Sequence, residues 1–208
     1  MIELSNTEVY GWEAAIRGMR NPMNSWDKSD SVFNAGYSGN GIIIGDNDLA
    51  LMKKLASAGT DHRKFMRMIN VTVDINAPLY WWKEFDTYKV GTVRNSCSTM
   101  HKLTAKEFTL DDFSYEHLDD CGLDHIKNTI DLLNEIRRYY IETKNKFDWL
   151  QIIQLLPSSY NQKATVQLNY EVLANMYHAR KNHKLYEWRI FCNWIETLPY
   201  SELITGEN

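Results

Sequence analysis

Residues 81–102 have the sequence WWKEFDTYKVGTVRNSCSTMHK, the densest run of chemically useful side chains in the chain. A short aromatic helix is predicted at its start, because Pro78 suits the first helical turn, where an N–H is not needed. Arg94 to Thr99 is predicted to be a loop whose guanidinium, amide and hydroxyl groups suit a phosphate or another anion. The alternative is a polar surface loop with ordinary turn chemistry.

The residues before this segment predict a β-strand. Ile69, Val71, Val73 and Ile75 alternate with polar residues, which is typical of a half-buried strand in an antiparallel sheet. A second, shorter strand is predicted at 164–168. With 208 residues the chain is long enough for one substantial domain. We therefore predict a single α+β domain with a central, mostly antiparallel sheet packed with long helices.

Apolar residues at helical spacing predict the remaining elements. In the first half of the chain they are a helix over Asn6–Met19 after a Ser5–Glu8 capping box and a helix from Asp46 or Asn47 that stops at Gly59. A long helix capped by Asp124 and an apolar segment over Phe147–Leu156 follow. The last two are a helix capped or entered by Asn169 that reaches Arg180, and a helix through Trp188 that stops at Pro199.

The sequence also predicts the structure of three segments that connect these elements. The polar connection 20–30 is expected to fold Trp26 inward, and the Gly-rich stretch 36–45 is expected to be a turn plus a short buried segment at 42–44. The latter has no Gly-Lys-Ser/Thr and is no phosphate loop. Residues 104–122 are acidic and irregular, which favours an ordered insertion or lid. Their carboxylates lack Ca²⁺-loop spacing, so no metal site is predicted.

Composition narrows the class of protein. The net charge of −4 argues against a surface that binds nucleic acid as a whole. Cys97, Cys121 and Cys192 suggest neither a disulfide framework nor a zinc site. The N-terminus lacks signal-peptide features and no apolar run approaches a membrane span, so we expect a cytoplasmic protein without membrane partners.

The order of these elements resembles the flavin-dependent thymidylate synthase family, also called thymidylate synthase complementing protein, from about Trp12 to about Leu198. Residues 59–65, GTDHRKF, stand where that family has a Gly-His-Glu-Thr-Pro-Phe-like turn. Leu156-Pro157 matches a family Leu-Pro. Asn169, Asn175 and Arg180 match the Asn-x5-Asn-x4-Arg pattern of its flavin- and nucleotide-binding helix, although Glu171 stands where an Arg is usual.

The family motif Arg-His-Arg-x-x-Ser-x-Asn-Glu-x-Ser-x-Arg-Tyr is only partly kept. A gapless overlay puts Thr87, Tyr88 and Lys89 on Arg-His-Arg, Thr92 on the first Ser, Arg94 and Asn95 on Asn-Glu, Cys97 on the second Ser, and Thr99 and Met100 on Arg-Tyr. A slip of one residue would put Ser96 or Ser98 on the second Ser instead.

The resemblance implies a homotetramer with active sites between subunits, which binds FAD and methylates dUMP with methylenetetrahydrofolate and NADPH as co-substrates. Pyrimidine activation in this class needs no protein nucleophile. The residues implied are Cys97 and Ser98 as catalytic; His62, Lys89, Asn95, Asn169 and Asn175 as cofactor-binding; and Glu84, Arg94, Ser96, Cys97, Ser98, Thr99 and Arg180 as substrate-binding.

Other interpretations of these residues stay open. Arg180 shares a helix face with Leu173 and Met176, where a charge needs a carboxylate or a ligand anion as partner. His62 can be a turn residue, Asn169 only a helix cap, and Cys97 an inert small hydrophobe. The chain as a whole can be a non-catalytic nucleotide-binding or interaction protein on the same scaffold, or an unrelated helical interaction protein.

Overall fold

A computed structural model of the chain describes residues 1–33 and 42–206. Its strands are β1 (Glu3–Tyr10), β2 (Val32–Phe33), β3 (Ile42–Ile43), β4 (Asn70–Pro78), β5 (Val93–Ser96) and β6 (Asn161–Asn169). Its α-helices are α1 (Trp12–Arg20), α2 (Asp46–Ser57), α3 (Leu79–Phe85), α4 (Asp120–Thr143), α5 (Lys146–Leu155), α6 (Tyr170–Arg180), α7 (Tyr186–Glu196) and α8 (Glu202–Thr205). Short 3₁₀ helices cover Asn21–Met23, Trp26–Lys28, Arg63–Met68 and Leu110–Asp112.

Four strands form one antiparallel sheet in the order β1-β4-β6-β5, and β2 pairs separately with β3. Opposite directions are visible in the side-chain ladder between β1 and β4. Asn6 Nδ2 donates to Asp74 Oδ2 at 2.9 Å, and Thr72 Oγ1 donates to Glu8 Oε2 at 3.3 Å. The predicted α+β class with an antiparallel sheet is confirmed.

The alternation predicted for the strand before the aromatic helix is confirmed in β4. Val71, Val73 and Ile75 are fully buried, whereas the polar residues between them keep part of their surface exposed. The aromatic helix follows as α3, with Pro78 at its N-cap.

The predicted helix over Asn6–Met19 is wrong in its first half, because residues 3–10 form β1 and the helix begins only at Trp12. Gly11 makes this change of direction. Its φ is 95°, and an added Cβ would lie 2.0 Å from the carbonyl oxygen of Met68. The capping box at Ser5 favours a helix locally, but the backbone hydrogen bonds that pair this segment with β4 favour the strand.

By contacts between Cα atoms the chain divides into two compact units. The first comprises Met1–Glu3, Ile75–Thr87 and Asn95–Ala164. Its core joins α4 and α5 to the preceding irregular segment through Leu103, Phe108, Phe113, Ile126, Ile130, Leu133, Ile136 and Ile152. The acidic stretch 104–122 is thus ordered, because Phe108 and Phe113 bury their side chains in this core, and its last three residues begin α4.

The second unit comprises Leu4–Asp74, Tyr88–Arg94 and Thr165–Asn208. Its helices bury large side chains, and the rings of Trp12 and Tyr170 meet edge to face at 5.2 Å. The Tyr170 hydroxyl donates to the Pro199 carbonyl at 2.5 Å, so burial is matched by a hydrogen bond. This contact fixes the start of α6, the helix that carries three predicted site residues.

A buried ion pair organises the connection between α1 and α2. Asp48, 0% exposed, accepts from Arg20 Nε at 2.6 Å and from the hydroxyls of Ser29 and Ser31, both at 2.7 Å. Burial by itself would raise the pKa of Asp48, but the hydrogen bonds from Ser31, Ser29 and Arg20 and the charge of Arg20 outweigh it and lower that pKa.

Four further details of the structure differ from the sequence predictions. The long helix begins at Asp120, not beyond Asp124, because Asp119 Oδ1 accepts from Gly122 N at 2.8 Å and caps it earlier. Trp26 is 50% exposed instead of inward, with its Nε1 donating to Asn21 Oδ1. A further helix, α8, follows Pro199.

The fourth difference concerns 42–44, where only Ile44 is buried and Ile43 is 65% exposed in β3. The Gly-rich turn predicted before it, residues 36–41, lies outside the described residues. The helices predicted from Asp46 to before Gly59 and from Asn169 to Arg180, and the strand at 164–168, are confirmed.

Candidate functional site

Helix α6 positions Asn169, Asn175 and Arg180, and the segment 88–94 packs at its start. Asn169 Oδ1 accepts from Val172 N at 3.0 Å, so the N-cap role is confirmed. Gly91 has φ 80°, and an added Cβ would lie 2.9 Å from Val172 Cγ2 and 3.2 Å from Asn169 Nδ2. This close approach brings the turn after Lys89 against Asn169, and the Lys89 side chain is exposed.

Arg180, at the end of the same helix, is held by aromatic and polar partners. Its Nε donates to the Tyr88 hydroxyl at 2.9 Å, and its Nη1 lies 3.0 Å from His183 Nε2. The guanidinium carbon is 4.7 Å from the ring centroid of Trp188 and 5.6 Å from that of Tyr88. Both distances fall in the range of cation–π attraction. The expectation of a lone charge on an apolar face is therefore wrong: Arg180 is half-buried and already engaged.

Asn175 belongs to an ion-pair cluster on the same helix. Its Oδ1 accepts from Arg63 Nη2 at 2.9 Å, and Arg63 Nε lies 3.4 Å from Glu171 Oε1. Glu171 is buried and also accepts from Arg67, whose pKa it raises by hydrogen bonding and by its charge. The carboxylate that replaces the family's usual Arg is thus neutralised by two arginines from the 3₁₀ helix 63–68.

This cluster also locates His62, which precedes Arg63 in the chain and is exposed. Sequence reasoning missed Arg63 and Arg67. The available signal was Glu171 itself, because an acid on the apolar side of a predicted helix needs a cation nearby. Which cation supplies it depends on tertiary packing.

In the first unit, the backbone of Cys97 is tied to β6 while its side chain is exposed. Cys97 N donates to Lys163 O at 2.8 Å, and Gln162 Nε2 donates to Cys97 O at 2.6 Å. Ser98 Oγ accepts from His101 N at 3.1 Å and so stabilises the turn that follows. The predicted catalytic pair therefore lies at a fixed strand end, with the thiol facing outward.

The loop predicted over Arg94–Thr99 is only partly a loop, because Val93–Ser96 form β5. The β-branched Val93 and pairing with β6 favour extended backbone there. Arg94 is half-buried and belongs to the second unit, together with Arg180. Glu84, Asn95, Ser96 and Thr99 belong to the first unit; Asn95 and Ser96 are exposed, Glu84 and Thr99 half-buried.

Among the described residues, neither the buried thiol of Cys192 nor a cluster of potential metal ligands forms a reactive or metal-binding site. Cys192 is buried, and burial together with the charge of Glu196 raises its pKa to about 11, which makes it a poor nucleophile. Within residues 1–33 and 42–206, no group of three or more His, Cys, Asp or Glu side chains is arranged to hold a metal ion. In the same residues, no helix is long and apolar enough to cross a membrane.

No family model matches the chain, and no curated protein matches it in sequence. Solved structures do match. Thymidylate synthase X (ThyX) from Helicobacter pylori, solved with FAD and dUMP at 2.31 Å, superposes with a TM-score of 0.70 at 15% identity, over 99% of this chain and 98% of that chain. A second structure of the H. pylori enzyme with FAD and dUMP gives 0.69 at 15% identity, covering 98% of both chains.

A third similar structure is the UMP/dUMP methylase PolB from Streptomyces cacaoi, bound with 5-Br dUMP. Its TM-score is 0.65 at 12% identity, over 99% of this chain and 94% of that chain. Identities this low establish the architecture and leave the chemistry to the residues themselves. The chain has, over nearly its full length, the fold of flavin-dependent thymidylate synthases.

Proposed function

We propose that this chain is a flavin-dependent enzyme that transfers a one-carbon group to the base of a pyrimidine deoxynucleotide. FAD is its cofactor, methylenetetrahydrofolate and NADPH are its co-substrates, and the working form is a homotetramer. The observation that carries the proposal is α6, which presents Asn169, Asn175 and Arg180 at the family spacing in a chain of that fold.

The residues present fit FAD in charge and in hydrogen-bonding capacity. FAD carries a pyrophosphate dianion, which needs cations and N–H donors. Arg63 Nη2 donates to Asn175 and Arg63 Nε lies 3.4 Å from Glu171 Oε1, so this guanidinium is held beside Asn175. Asn169, Asn175, His62, Lys89 and Asn95 would hold the cofactor together with this arginine.

FAD, when bound, supplies the redox chemistry, and the protein orients it and tunes its electronics. On the substrate side, Arg180 offers a planar cation to the nucleotide phosphate, with its geometry set by Tyr88 and Trp188. Arg94, Ser96, Thr99 and Glu84 would add donors and acceptors around the nucleotide. Cys97 and Ser98 would orient the base, since no protein nucleophile is needed.

The test is the colour and activity of the purified 208-residue chain. We expect flavin absorbance, release of FAD identified by mass spectrometry, and formation of dTMP from dUMP with both co-substrates. Added FAD should raise the melting temperature, because a ligand that binds only the native state stabilises it by mass action. A colourless protein with no melting shift at FAD concentrations far above micromolar contradicts the proposal.

A second candidate is a non-catalytic nucleotide-binding protein on the same scaffold. Two features favour it: Glu171 stands where the family has Arg, and Tyr88, which replaces a motif His, bonds Arg180. A colourless tetramer that binds dUMP without turnover would support this candidate over the enzyme.

A further inference from the structure

A cleft of about 520 Å³ lies in the second unit, bordered by the end of α2, the start of the 3₁₀ helix 63–68, α6 and α8. Its charged lining consists of Lys53, Lys54, Arg63 and Glu202, with His178 beside them. None of these five residues is among the site residues predicted from the sequence. The volume falls within the range of small-molecule sites.

The charges around this cleft do not balance. Lys53 Nζ lies 3.7 Å from Glu202, and Arg63 lies 3.4 Å from Glu171, which it shares with Arg67. Lys54 makes no ion pair and no side-chain hydrogen bond with any residue that the structure describes. The lining of the cleft itself thus carries three cations, Lys53, Lys54 and Arg63, and one carboxylate, Glu202, in a chain whose net charge is −4. The positive excess is local and not a result of composition.

Part of this charge has a local explanation. Lys54 lies in the last turn of α2, where a cation favours the helix dipole. His178 likewise lies in the last turn of α6, but the explanation does not extend to Arg63, which comes from the 3₁₀ helix 63–68. Arg63 is also held in place: its side chain is 18% exposed, and Nη2 donates to Asn175. A fixed guanidinium beside two lysine ammonium groups is a typical arrangement for phosphate oxygens.

We propose that this cleft binds the phosphate or pyrophosphate group of a small molecule, with Arg63 and Lys54 as the main contacts and Lys53 and His178 as supporting ones. The inference does not depend on the one-carbon chemistry proposed above. The phosphate can belong to a flavin dinucleotide or to a separate phosphorylated molecule, and the two sources are distinguished by experiment.

The probe is sodium pyrophosphate, titrated into the 208-residue protein by calorimetry at constant ionic strength. Lys54→Gln removes one unpaired charge from the cleft and should weaken binding by about threefold to tenfold while melting close to wild type. Lys127→Gln removes the same charge from α4, whose residues do not line the cleft, and should leave the affinity unchanged. The wild-type affinity should fall as salt is raised.

FAD and riboflavin, which lacks phosphate, identify the source. If Lys54→Gln weakens FAD and pyrophosphate alike but not riboflavin, the cleft takes the phosphates of the flavin cofactor. If it weakens pyrophosphate alone, the ligand is another phosphorylated molecule. A wild type that fails to bind FAD contradicts the proposed enzyme and leaves this inference standing. No pyrophosphate binding at millimolar concentration, or equal weakening by Lys54→Gln and Lys127→Gln, overturns it.

Discussion

At the scale of single residues, Arg180 is a predicted ligand contact whose guanidinium is already held in place by neighbouring side chains. The guanidinium carbon lies within 6 Å of two aromatic ring centroids, and Nε donates to the Tyr88 hydroxyl. Stacking and a directional hydrogen bond suit a planar guanidinium and not the point charge of an ammonium group. Lys is therefore a poor substitute at this position, whether or not a nucleotide is present.

We expect Arg180→Lys to weaken dUMP binding by on the order of tenfold or more, about 1.4 kcal/mol. Tyr88→Phe keeps the ring but removes the acceptor for Nε, and should weaken dUMP by a smaller factor while leaving deoxyuridine, which has no phosphate, unchanged. Calorimetry with both ligands measures these differences.

Arg180→Ala should also destabilise the ligand-free fold by roughly 1 kcal/mol, because cation–π contacts with Tyr88 and Trp188 are lost. Unchanged dUMP and dCMP affinities in Arg180→Lys and Arg180→Ala would mean that the nucleotide binds elsewhere. If Arg180→Ala unfolds the protein completely, Arg180 acts as a structural residue and not as a ligand contact.

At the scale of elements, the junction between β1 and α1 depends on one glycine. Gly11 has φ 95°, a conformation that costs an L-residue energy, and its missing Cβ is what lets Met68 O approach. Pairing of β1 with β4 and burial of Trp12 against Tyr170 both require this turn.

Gly11→Ala should therefore lower the free energy of unfolding by at least about 2 kcal/mol, from backbone strain together with the clash at Met68 O. Gly59→Ala is the matched control, because Gly59 has φ 99° but open space around the added Cβ. It should cost only about 1 kcal/mol. Urea unfolding of both variants checks the difference, and equal losses would show that the close approach to Met68 contributes nothing.

At the scale of the whole molecule, several large apolar side chains remain on the surface of α4 and α5 in the first unit. They are Leu132, Tyr139, Ile141, Phe147 and Leu155. Large apolar side chains that stay exposed on a pair of helices suit burial against another subunit. The prediction of a homotetramer is consistent with this exposure, which makes the oligomeric state a direct test of the resemblance.

Light scattering of the purified protein should give the mass of a tetramer, four times the 24.4 kDa of the chain, at micromolar concentration. The reason is that removing apolar surface from water on association is favourable. A stable monomer over the same concentration range would count heavily against active sites formed between subunits.

The sequence by itself determined the elements whose signals are local. The alternation in β4, the Pro78 start of α3, the Asn169 cap of α6 and the extent of α2 follow from periodicity and capping, which act within a few residues. The spacing of Asn169, Asn175 and Arg180 on one helix is likewise a property of the sequence alone.

Tertiary structure decided everything that depends on a partner distant in the chain. Residues 3–10 form a strand because they pair with β4. The negative charge of Glu171 is balanced by ion pairs with Arg63 and Arg67. Arg180 was predicted to need a carboxylate or a ligand anion as its partner, yet the Tyr88 hydroxyl, 92 positions earlier in the chain, accepts a hydrogen bond from it. Hydrogen bonds, ion pairs and ring stacking act over a few ångströms in space, and a sequence does not give those distances until the chain has folded.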